Sequence, residues 1–236
     1  MTGRMIEFDA NGSRAPGYLA TPGAGVGPGV IVFHAWWGLT EPFRQVCDRL
    51  AEAGFAALAP DLYRGKTTAK VEEAEALVAA LNQEEERARG DIAGALRFLR
   101  QNGAASPADG HGALALVGFS LGAAYALDMS VNLPEEIAAV VTFYGAYPDL
   151  DYGKAKAVYL CHFAENDPFE PAEAVAEMEQ TLRASGRPAT FYTYPGTTHW
   201  FFEPNRPDAY DPAAAALAWD RTIAFLNAEL RRAQDA

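Results

Sequence analysis

The chain is poor in cysteine, poor in positive charge, and without a long apolar run. Its 236 residues hold two cysteines, Cys47 and Cys161. Two thiols make no disulfide framework, and neither belongs to a C-x-x-C pair. They fall on a predicted helix and a predicted strand, so they are expected to be free and buried, as in a reducing compartment. Lysine and arginine number 19 against 31 aspartates and glutamates, a formal net charge of −12. That balance argues against nucleic-acid partners and against anionic membrane surfaces. No apolar stretch reaches the roughly 20 residues of a membrane span. The opening Met1-Thr2-Gly3-Arg4-Met5-Ile6-Glu7 lacks the apolar core of a secretory leader. The expectation is a cytoplasmic protein with no membrane partner. There is no H-E-x-x-H pattern and no internal repeat, so no metal site is expected.

What is present is a core. Half of the residues are hydrophobic. Apolar runs alternate with amphipathic segments to the end, and no Pro/Ser-rich linker interrupts them. This predicts one α/β domain over residues 1–236. Ile6–Asp9 and Tyr18–Ala20 flank Asn11-Gly12 as an antiparallel hairpin. Val30–Phe33 reads as a strand buried on both faces. Thr40 should cap a helix with Pro42 in its first turn. Phe43, Val46, Cys47 and Leu50 form its buried face, and Gly54 stops it. A strand over Phe55–Leu58 follows, then helices near Thr68–Leu81 and Glu84–Arg100. The second of these buries Ile92, Ala95, Leu96 and Leu99, and its Glu84-Glu85-Glu86 start is a solvated first turn. Later strands are expected at Ala138–Tyr144, Ala157–His162 and Thr190–Tyr194, with helices at Ala172–Ala184 and Pro212–Leu230. Only about a dozen residues separate the first two of these strands. That gap is too short for a helical lid.

The chemistry concentrates at Gly118-Phe119-Ser120-Leu121-Gly122. The apolar run Ala113–Val117 leads into it and the helix-forming Ala123–Leu127 leads out. G-x-S-x-G between strand and helix is a nucleophile elbow. Its serine projects from a strained turn, and the flanking glycines let strand and helix approach closely. The Leu121 N–H then stands at a helix N-terminus, where a developing oxyanion is stabilised.

A nucleophilic serine needs a base, and the base needs an acid to orient it. Of the four histidines, only His162 and His199 follow Ser120. His162 sits on a predicted strand and is expected to pack. His199 lies in Pro195–Phe202, read as a loop just after the last strand, where ligand sites of open α/β sheets form. For the acid, Glu165-Asn166-Asp167-Pro168 offers Asp167 first, with Glu165 and Asp149 behind it. Asp167 could also be no more than the side chain holding its own Asn-Asp-Pro turn. The second oxyanion donor is expected from His34-Ala35-Trp36-Trp37-Gly38, with the Trp36 N–H as candidate. His34, Trp37, Trp200 and Phe201 are the expected pocket walls, because aromatic side chains at a site mouth exclude water.

These pieces together resemble the dienelactone hydrolases, over most of the chain from Ile6 to the final helix. The resemblance rests on Val117–Ala123, Ala59-Pro60-Asp61-Leu62-Tyr63, Gly90-Asp91-Ile92 and Asn166-Asp167-Pro168. It rests also on His199 and Phe201 followed by Tyr210, Ala215, Trp219 and Arg221. It implies a lidless α/β-hydrolase fold with a mostly parallel central sheet and an N-terminal antiparallel hairpin. It further implies no cofactor, a monomer or weak homodimer, and a triad at Ser120, Asp167 and His199. The best-known members carry cysteine as nucleophile and a glutamate after the third strand, where this chain has Ser120 and Ala35. They also hold the substrate carboxylate with two arginines. Arg206 falls in one of those places, while Lys70-Val71-Glu72-Glu73 fills the other without an arginine.

The reading is therefore a serine hydrolase that cleaves small-molecule esters or lactones through an acyl-enzyme, with neutral esters preferred. A true carboxymethylenebutenolidase, a thioesterase or peptidase on the same triad, and a non-catalytic ligand-binding protein are the alternatives.

Overall fold

The computed structural model describes residues 3–10, 12–23, 25–102 and 114–231. Its contacts divide the chain into two compact units, Met1–Leu114 and Ala115–Ala236.

The first unit opens with an antiparallel pair, β1 (Arg4–Ala10) and β2 (Ser13–Ala20). Ala10 pairs with Ser13, and Gly12 takes φ +85°, as a two-residue turn requires. Asn11 lies outside the described residues. The next elements are β3 (Gly29–Phe33), α1 (Glu41–Glu52) and β4 (Ala56–Pro60), and the strand order is β1-β2-β4-β3. β3 and β4 are parallel and wholly buried, which explains their unbroken apolar sequences.

In α1 the predicted face of Phe43, Val46, Cys47 and Leu50 is the buried one. Thr40 stands at the N-cap position with extended backbone, but its side chain makes no capping bond. Its carbonyl alone takes the Phe43 and Arg44 N–H groups. Gly54 ends the helix at φ +91°, and the Phe55 N–H returns to the Leu50 carbonyl at 2.9 Å.

Helix α2 spans Val71–Gln83 and α3 spans Glu85–Asn102. The first begins three residues later than expected. The Thr68 hydroxyl there accepts the Lys70 N–H at 3.0 Å, which fixes a turn ahead of the helix. Glu84 caps α2 rather than opening α3. In α3, buried Asp91 is held by Arg64 at 2.7 Å and by Arg87 at 2.8 Å.

The second unit carries the strand order β5-β6-β7-β8. Its elements are β5 (Leu114–Phe119), α4 (Leu121–Asn132), β6 (Ile137–Phe143), β7 (Val158–Asn166), α5 (Ala172–Ala184), β8 (Ala189–Thr198) and α6 (Pro212–Arg231). Ala113, expected at the start of β5, lies outside the described residues. β6, β7 and β8 run parallel. The segment 144–157 contains only a single 3-10 turn, Tyr152–Lys154. β7 and β8 each run four residues past their expected ends. Their pairing shifts register between Ala164 and Asn166 and then resumes with Asn166 opposite Thr198. Pro195 and Gly196 therefore lie within a strand and not in a loop. The backbone tolerates this because Gly196 adopts φ +74° and its N–H is taken by the Glu165 carboxylate at 2.8 Å.

Both cysteines are free and buried, as expected. Burial pushes the Cys161 thiol up to about 12 and raises Cys47 as well, so both are unreactive. No helix among the described residues is long and apolar enough to cross a membrane.

Candidate active site

Ser120 lies between β5 and α4 with φ +51° and ψ −114°, a conformation that L-residues avoid. The neighbouring packing holds it there. A Cβ on Gly118 would lie 2.3 Å from the Gly122 carbonyl oxygen, and one on Gly145 would lie 2.5 Å from the Ala123 Cβ. Only glycine lets strand and helix approach this closely. The Ser120 N–H donates to the Phe143 carbonyl at 2.9 Å, which ties the elbow to the end of β6. Leu121 is the first residue of α4, so its N–H has no carbonyl partner within the helix.

The register of β7 and β8 brings the other two groups together. Asn166 and Thr198 are paired, so the next residue of each chain, Asp167 and His199, leaves the sheet side by side. The His199 Nδ1–H meets both Asp167 carboxylate oxygens, at 2.9 and 2.8 Å. On the other edge of the ring, Nε2 accepts the Ser120 hydroxyl at 3.0 Å. A carboxylate only accepts, so the proton sits on Nδ1 and Nε2 is left as a base. Both side chains are nearly sealed, with 3% of His199 and 2% of Asp167 exposed. Asp167 Oδ1 also accepts the Phe169 and Glu170 N–H groups, at 2.9 and 3.1 Å. The turn-holding reading of Asp167 and the acid reading thus describe one side chain in both roles.

The competing residues are placed elsewhere. Glu165 is exposed and holds Gly196, and Asp149 is exposed. His162 is fully buried. Its Nε2–H is given to Thr222 Oγ1, whose own proton goes to the Ala218 carbonyl, and its Nδ1 accepts the Tyr194 hydroxyl. Burial first, and Arg221 second, push its pKa down to about 3, so it is a neutral packing residue.

Of the expected pocket walls, Trp200 is half-buried with the Arg206 guanidinium 4.7 Å over its ring. Phe201 is completely buried, against Tyr144 and Tyr194, and faces the core. In the first unit, His34 is also fully buried. It donates from Nδ1 to the Ala35 carbonyl at 2.7 Å and accepts the Leu62 N–H on Nε2 at 3.3 Å. Burial lowers its pKa, so this ring is a neutral structural link. Trp37 is buried, and half-buried Trp36 packs edge-on against it at 5.2 Å.

Four further side chains of the site carry no sequence motif. Phe169 lies 4.8 Å from the imidazole by ring centroids, two residues past Asp167. Tyr144 lies 4.8 Å from it as well, at φ +40°, and its hydroxyl donates to Glu203 at 2.8 Å. Glu203 is completely buried, and that burial pushes its carboxyl up to about 8, so it is neutral at pH 7. Glu170 accepts the Ala146 N–H at 3.0 Å. Partial burial, aided by the charge of Asp167, raises it to about 7. The arrangement can take a proton from Ser120 onto His199 and hold the resulting imidazolium against Asp167.

The family model for the dienelactone hydrolase family matches residues 15–230. The chain belongs to the dienelactone hydrolase family. Members of this family cleave ester and lactone bonds. A protein of Aquifex pyrophilus named usf is 34% identical, with 94% of this chain and 97% of that protein covered. A protein of Aquifex aeolicus (strain VF5), provisionally named a carboxymethylenebutenolidase, is 31% identical over 97% of this chain and 100% of its own length. Among solved structures, a provisionally named dienelactone hydrolase from Klebsiella pneumoniae subsp. pneumoniae MGH 78578 superposes with a TM-score of 0.82. It is 25% identical and covers 94% of this chain and 96% of its own. The fold is that of the α/β hydrolases, as the elbow and the parallel strands indicated.

Proposed function

We propose that this family member is a serine esterase or lactonase acting on small neutral substrates through an acyl-enzyme. Ser120 attacks the carbonyl carbon. His199 takes its proton at Nε2 and delivers it to the leaving alkoxide. Asp167 fixes the imidazole tautomer and stabilises the imidazolium. The Leu121 N–H at the start of α4 binds the oxyanion, and water then cleaves the acyl-enzyme by the same route in reverse. No metal or cofactor enters these steps. The protein works in the cytoplasm, as a monomer or weak homodimer.

The observation that carries the reading is the pair of contacts on one ring, 3.0 Å from His199 to Ser120 and 2.8 Å from His199 to Asp167. The test is Ser120→Ala, which should lower kcat on an activated ester by about 10³-fold or more. A serine-directed phosphonate should label Ser120 in the wild type. Wild-type turnover by the alanine variant would sink the assignment.

A second reading is a true dienelactone hydrolase, favoured by the name of the Aquifex aeolicus relative. It needs a cationic clamp for the substrate carboxylate. Arg64 and Arg87 are bound to Asp91, and Arg206 lies over Trp200 with its Nε 3.8 Å from Asp208. These engagements support neutral substrates as the preferred class.

A further inference from the structure

A cavity of about 560 Å³ is lined in part by His199 and Asp167. Its apolar wall is Pro168, Phe169, Trp200 and Ala209. We propose that this cavity is the subsite for the alcohol half of the substrate, that it takes a neutral aromatic alcohol, and that such an alcohol can replace water as acyl acceptor. The inference rests on the esterase reading above.

The position follows from the proton. The leaving oxygen must come within hydrogen-bond reach of His199 to be protonated, so the group attached to it has to lie against the imidazole. The cavity that His199 itself lines is where such a group fits. Its chemistry follows from the walls. Phe169 is 49% exposed. It packs 4.8 Å from His199 and 5.2 Å from Trp200, tilted about 50° to both, so a further ring finds both faces and edges to meet. Three carboxylates, Glu165, Asp167 and Asp208, also border the cavity and oppose an anion. They do not call for a cation either. Glu165 is used by the Gly196 N–H and Asp167 by His199 and its own turn, while Asp208 lies 3.8 Å from Arg206. A neutral ring is what remains.

Acyl transfer follows by microscopic reversibility, since a site that releases an alcohol also accepts it. The alcohol oxygen attacks the acyl carbon, the bond from that carbon to Ser120 Oγ breaks, and the alcohol proton passes through His199 Nε2 to Ser120 Oγ. No redox partner is needed.

The experiment uses the full chain and four esters. Benzyl and ethyl butyrate differ on the alcohol side with similar leaving-group basicity. Ethyl phenylacetate moves the ring to the acyl side, and butyrylcholine replaces it with a cation. The expected kcat/KM ratio of benzyl to ethyl butyrate is about tenfold or more, and Phe169→Ala should reduce that ratio about tenfold. The ratio of ethyl phenylacetate to ethyl butyrate should keep its wild-type value in the variant. With ethyl butyrate as donor, benzyl alcohol should give several-fold more transfer ester than butanol at equal concentration. An unchanged benzyl ratio in Phe169→Ala, a loss on the acyl side instead, or butyrylcholine outrunning benzyl butyrate would overturn the subsite. Absence of any ester turnover by the wild type, with no phosphonate label on Ser120, would overturn the esterase reading and this inference with it.

Discussion

Replacing Glu203 by glutamine should change the pH dependence of stability, in a direction and by an amount that burial sets. The Glu203 carboxyl is completely buried and lifted from the ordinary 4.5 to about 8, chiefly by desolvation. The folded protein therefore keeps a proton that the unfolded chain has already lost. Stability changes with pH as the number of protons bound by the unfolded state minus the number bound by the folded state. That difference is negative between about 4.5 and 8, so Glu203 costs stability progressively as pH rises through this window. The cost levels off above the folded value. With these two pKa values, the loss between pH 5 and pH 8 comes to about 3 kcal/mol. Glutamine occupies the same volume, still accepts the Tyr144 hydroxyl, and does not titrate. Any repacking it causes is a constant offset, so the pH trend alone carries the test. Thermal unfolding of both proteins at pH 5 and pH 8 is the assay. Glu203→Gln should gain about 6–12 °C on the wild type between the two conditions, at roughly 2–4 °C per kcal/mol for a chain of this size. The elevated Glu170 is common to both proteins and cancels in the comparison. Parallel Tm curves for the two proteins would refute the neutral, buried Glu203.

Asp167→Asn should keep the turn, because an amide oxygen can still accept the Phe169 and Glu170 N–H groups. It would turn an NH₂ toward Nδ1, force the wrong tautomer, and lower kcat by about 10³–10⁴-fold. Glu165→Gln, which preserves the acceptor for Gly196, should cost little, and reversed sensitivities would reassign the acid. In a comparison of neutral esters with dienelactones, the neutral class should have the higher kcat/KM. Efficient dienelactone turnover that collapses in Arg206→Ala would show that Arg206 leaves Trp200 to hold a carboxylate.

The elbow was legible because its requirements are local. Gly118 and Gly122 flank a serine between an apolar run and an alanine-rich helix, and each residue type answers a constraint within five positions. The same holds for α5, whose Ala172–Ala184 span matches the periodicity of its apolar residues. The end of β8 was not legible. Proline and glycine at 195 and 196 are loop signals in any local window. What overrides them is Glu165, thirty-one residues earlier, taking the Gly196 N–H. Phe201 illustrates a related limit. Its neighbour Trp200 takes φ +67°, which redirects the chain and sends one aromatic toward the cavity and the next into the core. Nothing in the run His199-Trp200-Phe201-Phe202 marks which would be which.

Tyr144 and Glu203 were illegible for the same reason at longer range. Their hydrogen bond spans 59 residues, and Glu203 by sequence is an ordinary carboxylate before a proline. Burial gives it a consequence for the site. Glu203 holds the Tyr144 ring that packs on His199, and Glu170 lies in the turn that Asp167 orders. Desolvation removes the charge of Glu203 at neutral pH and part of that of Glu170. Asp167 instead accepts three N–H groups, two from its own turn and one from His199, in place of water. The same Asp167 oxygen that holds the turn also meets the imidazole, so the turn and the acid are built on one atom. A sequence reading that separates the structural role from the chemical one loses that connection.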